Sequence, residues 1–88
     1  MPRSDLDLLN QLRMAVRGRL QAEEIASKRL HVLVEWQRRL IEEVARAGRL
    51  DVNLFREVLV LLIEAQHWHD AQANQVRGEL HFLDRHSC

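Results

Sequence analysis

Five histidines in 88 residues are the first side chains that could do chemistry. The densest group is His67-Trp68-His69-Asp70. On a helix, however, two histidines at that spacing point roughly 200° apart and cannot share one ion. Glu64 and His67 are better placed. Their i, i+3 spacing is the Glu-x-x-His arrangement that helical bundles use in carboxylate metal sites. If the chain reverses near residues 49 and 50, Glu35 comes level with Glu64 and His31 nearly level with His67. That two-Glu, two-His set is the donor chemistry of a metal-binding four-helix bundle. Yet Glu35, Glu64 and His67 all lie off the main apolar stripe of their helices, so one hairpin aims them outward and a second chain would have to complete the site. The plainer reading is a polar rim, and no metal ligand is assigned. His81 and His86 lie close to the C-terminus and add little.

Nucleophilic and phosphate chemistry find less support. No Ser/His/Asp or Cys/His arrangement has supporting context, no glycine-rich loop exists to cradle a phosphate, and Cys88 stands alone at the end. No catalytic residue and no cofactor is expected. Arg13, Arg17 and Arg19 form the one local basic excess, but the formal net charge is zero and stacking aromatics are lacking. Nucleic acid is therefore not the expected partner.

One stretch points toward an enzyme. Ala47-Gly48-Arg49-Leu50-Asp51, followed by Phe55 and Leu62-Ile63-Glu64, resembles the last inter-helix turn and final helix of the all-helical chorismate mutase family. The resemblance covers roughly the last third of the chain. It implies a dimeric helical architecture whose active site draws basic residues from a long first helix, an Asp/Arg/Glu group before the second, and glutamine and small polar residues on the last. The matching last-helix positions hold Gln66 and Asp70. The chain departs from that pattern: the Asp/Arg/Glu group is absent, and residues 5–29 are too few for the family's first helix and loop. An acidic Asp70 would also repel a dianionic substrate.

The elements that position these residues are helices. The chain has one proline, at position 2, and three glycines, at 18, 48 and 78. Good helix formers dominate the rest, and no strand alternation occurs. Ser4, with Asp7 three residues on, is expected to cap a first helix. Its apolar stripe is read as Leu9, Leu12, Val16, Leu30, Val34, Ile41 and Val44. Arg46 and Gly48 form its C-terminus, and Asp51, or as second choice Asn53, caps a second helix. The second stripe is read as Leu54, Val58, Leu61, Ala65, Trp68, Gln72, Val76 and Leu83. The expected fold is all-α: one domain over 1–88, an antiparallel hairpin of two long helices turning near 48–51. A second helix over about 52–84 would reach back only to residue 15. Residues 5–17 then either continue the first helix past Gly18, which is the preferred reading, or fold back as a short third helix.

This hairpin has more apolar surface than it can hide. Met14, Ile25, Val32 and Trp36 lie off the first stripe, and Val60, Ile63 and Ala71 off the second. Residues 58–63 are apolar on every side, and a helix of that kind is normally buried all round. A chain this short also struggles to stabilise itself alone. The expectation is a non-enzymatic protein–protein interaction module, a small helical adaptor, chaperone or inhibitor of bacterial or phage type. It would assemble as a homodimer or on another protein. The residues chosen for docking are Val32, Trp36, Val60 and Ile63, with His67 at the rim. A homodimeric enzyme or metal bundle is the alternative. Lacking a membrane-length apolar run, an N-terminal h-region or paired cysteines, the chain is expected to be cytoplasmic, with no membrane partner.

Overall fold

The computed structural model describes residues 3–48 and 51–85. Among these, two helices pack antiparallel along their length: α1, Arg3–Ala47, and α2, Val52–Arg85. The described residues include no strand. The molecule is a rod of 69 × 14 × 14 Å with a radius of gyration of 19.9 Å. A compact globule of this length would have a radius near ~12 Å.

α1 runs through Gly18 without a break, so residues 5–17 continue it and do not fold back as a third helix. Neither a proline nor a polar turn cluster accompanies the glycine, and helix on both sides carries it. The start differs from the expected cap. Arg3 is already helical, so Ser4 lies inside the first turn, a shift within the usual fraying of helix ends. The turn behaves as expected at its described ends. Gly48 adopts φ 66°, and its N–H donates to the Val44 carbonyl at 3.1 Å. That is the left-handed closure for which glycine is favoured. Asp51 Oδ1 accepts from the Asn53 N–H at 2.9 Å and so caps α2. Arg49 and Leu50 lie outside the described residues, as do His86 and Cys88.

Among the described residues the buried core is small, made of Val34, Val44, Ala73 and Val76, of which Val76 is wholly enclosed. Around them the less accessible positions of α1 recur at alternating steps of three and four, as in Leu30, Val34, Gln37, Ile41 and Val44. α2 does the same through Val52, Phe55, Leu59 and Leu62, and again through Ala73, Val76, Leu80 and Leu83. This is the 3.5-residue repeat of a two-stranded coiled-coil seam.

The seam corrects the stripe assigned to α2. Leu54, Val58, Leu61 and Trp68 are exposed, and Leu12 of α1 is too. The assigned stripe advanced by i+4 from Trp68 to Gln72 to Val76, and each such step rotates about 40°. It therefore began on one face and ended on another. The helix has two apolar stripes to choose from. The one through Leu54, Leu61 and Trp68 continues into Gln72, Gln75 and Glu79, which would have to be buried without partners at appreciable cost. The other ends in Ala73, Val76, Leu80 and Leu83, so it can pack to the end of the rod.

Polar contacts set the register. Arg13 Nε lies 3.3 Å from an Asp84 carboxylate oxygen, without hydrogen-bond geometry. Ser27 donates to Asp70, Gln37 donates to the Phe55 carbonyl at 2.9 Å, and Glu23 meets His69 Nδ1 at 2.5 Å. Glu24 reaches across to Arg77 at 3.2 Å. Along α1 itself, Arg46 and Glu42 pair one turn apart at 3.8 Å.

A candidate docking face along one flank

With the seam fixed, each helix has two flanks, and antiparallel packing brings like flanks together. One flank of the hairpin is polar. Glu24, Ser27, Lys28, Asp70, Asn74 and Arg77 line a cleft on it. The other flank carries most of the exposed apolar surface. α1 contributes Leu8, Leu12, Leu33, Trp36 and Leu40; α2 contributes Leu54, Val58, Leu61, Trp68 and Phe82. Both tryptophans are largely open, Trp36 at 68% and Trp68 at 57% of full exposure.

The register divides this face into three zones. Nearest the turn is the larger apolar zone, where Leu61 is level with Trp36 and Trp68 with Arg29. A polar belt follows, formed by Arg19, Gln72, Gln75 and Glu79, in which Arg19 donates to Gln72 Oε1 at 3.1 Å. Beyond it lies a shallow apolar groove lined by Leu12, Val16, Phe82 and Leu83. Trp68 is held by an edge-on contact with His69, at a centroid distance of 4.9 Å and an interplanar angle of 86°. His69 is in turn fixed by Glu23 in the seam.

The residues chosen from sequence do not form one surface. Trp36 is on the apolar flank. Val32 lies at the back of α1, exposed. Val60, Ile63 and His67 are on the polar flank, where Val60 adjoins Arg38, Ile41 and Glu42. Ile63 is half-buried beside the seam and His67 is exposed. Choosing residues that were off the wrong α2 stripe put the α2 members on the opposite side. Leu33, Leu40, Leu61 and Trp68 were missed as surface residues, although the step pattern of Phe55, Leu59, Leu62 and Val76 was the signal that would have released them.

The alternative sites fare as follows. His31, Glu35, Glu64 and His67 sit on outer flanks, and among the described residues no three histidine, carboxylate or thiol groups converge as a metal-binding set. Gln66 is half-buried at the seam, and Asp70 is engaged by Ser27. No helix is long and apolar enough to cross a membrane, among the described residues.

The elongated shape also leaves the chain with more surface than a compact one. The chain leaves 6927 Å² accessible. A compact monomer of 10.4 kDa would expose about 5,400 Å², so the hairpin carries roughly 1,500 Å² in excess. Comparisons with protein-family models, curated proteins and solved structures find no match for the chain.

Proposed function

We propose that this chain is a protein–protein interaction module that works by docking the apolar flank of its hairpin on a complementary helical surface, of another protein or of a second copy. The carrying observation is the larger apolar zone of that flank, with Trp36, Leu61 and Trp68 exposed together. Contiguous apolar surface of this extent, bordered by polar residues, marks association sites on soluble proteins. Tryptophan is enriched among the residues that dominate binding energy. The mechanism needs no chemistry. Leu33, Leu40 and Leu61 lose contact with water on docking, the two indoles fill gaps in the opposing surface, and the polar belt sets position along the rod.

Site-specific photo-cross-linking in cells tests this reading. A photoreactive side chain in place of Trp68 should yield a discrete protein adduct, whereas the same group in place of Arg39, on the back of α1, should not. Adducts of equal yield from both positions, or from neither, would remove the docking face.

A further inference from the structure

The docking reading leaves the occupant open, and the layout of the face itself narrows it. We infer that the occupant is a second copy of this chain, related by a two-fold axis that runs along the rod, so that both hairpin turns lie at the same end of a four-helix bundle. The inference rests on the apolar flank being a docking face.

The first argument is area. A stable interface of ordinary size removes about 800 Å² from each partner. The excess of roughly 1,500 Å² carried by this hairpin is of the size that an obligate homodimer covers. With only Val34, Val44, Ala73 and Val76 buried among the described residues, the hairpin needs a larger core, and a second copy supplies an equal flank at the same length.

The second argument is the order of zones along the rod. A two-fold axis parallel to the rod sets α1 of one copy against α2 of the other at equal height. Leu61 then faces the partner's Trp36, apolar zone on apolar zone. Trp68 faces the partner's Arg29, a guanidinium over an indole. Glu79, which has no ion-pair partner among the described residues, comes beside the partner's Arg19, so opposite charges meet within the belt. Each contact occurs twice, as two-fold symmetry requires. An axis perpendicular to the rod does worse in either placement. Centred on the rod, it sets the belt of Arg19, Gln75 and Glu79 against Leu33 and Trp68. Centred on the larger apolar zone, it leaves Leu12 and Phe82 uncovered.

The test uses the full chain with Cys88→Ser and one new cysteine at a time, Gln11→Cys or Arg46→Cys. Both positions lie on the exposed back of α1, away from seam and flank. Light scattering should give twice the 10.4 kDa chain mass. Spin labels should lie about 20–35 Å apart at both positions, the span of a four-helix bundle. A perpendicular axis would separate the Gln11 labels by more than ~45 Å, given 1.5 Å per residue. That distance would overturn the parallel arrangement. A monomeric mass would overturn the second copy as occupant, while the docking face would still stand or fall on the cross-linking experiment. Charge reversal checks the register. Arg19→Glu or Glu79→Arg alone should weaken dimerisation about threefold to fivefold, and the two together should restore it. Additive losses in the double variant would sink that pairing.

Discussion

At the residue scale, the seam is held at its centre by polar pairs and not by a continuous apolar row. Glu23 and His69 occupy positions where a coiled coil usually places leucine, and they meet at 2.5 Å with side chains 16% and 28% exposed. Such a pair contributes little net energy against an apolar replacement, but breaking it leaves a half-buried group without its partner. A double-mutant cycle on thermal unfolding should show this. His69→Leu alone is expected to cost about 1–3 kcal/mol, and Glu23→Leu with His69→Leu together to be neutral or stabilising. If the singles and the double simply add, Glu23 and His69 are not coupled in the folded chain. The pair also explains why this part of the sequence was hard to read. His69 was weighed as a possible ligand within a four-residue cluster, whereas its partner is 46 positions away and invisible until the register is known.

At the element scale, the helices and their ends were legible. Gly48 and Asp51 announced the reversal by chemistry that needs no tertiary information, a left-handed glycine and a side-chain acceptor at a helix start. Asp51→Ala removes that acceptor and should cost about 1 kcal/mol, read as a lower midpoint in urea with an unchanged slope. The glycines inside helices make an opposite prediction. A Cβ at Gly18 or Gly78 would meet nothing within 4 Å. Gly18→Ala should therefore stabilise by about 1 kcal/mol, raising the melting midpoint by roughly 4–8 °C. A loss of stability would mean that the glycine serves a bend or a close approach absent from this hairpin. Which stripe of α2 faces inward was not legible from its first half. Residues 54–62 offer two apolar stripes of similar quality, and the choice is made by residues 72–83, a distance of several turns. A local reading of periodicity cannot weigh that.

At the scale of the whole molecule, the fold explains why so apolar a short chain adopts a rod and not a globule. Two helices can share only one seam, and neither helix has a break that would let it fold over the surplus. The surplus therefore has to sit on a flank, and neighbouring residues on α2 now make opposite predictions. Leu61 and Val60 are adjacent, apolar and similarly exposed, but Leu61 is on the apolar flank and Val60 on the polar one. If the flank is a docking surface, Leu61→Glu should weaken association by about 2 kcal/mol or more, the scale of an interface anchor. In a two-fold assembly it also places two carboxylates in the same interface. The melting midpoint of that variant should fall and lose its dependence on protein concentration, because stability linked to association follows mass action. Val60→Glu should leave both the mass and the concentration dependence as they are, since its carboxylate joins Arg38 and Arg56 on a solvated surface. The comparison controls for helix propensity and added charge, so a difference between the two variants can come only from which flank is covered. Equal behaviour of the pair would mean that the apolar flank is not covered by a second copy, and the homodimer would fall with it.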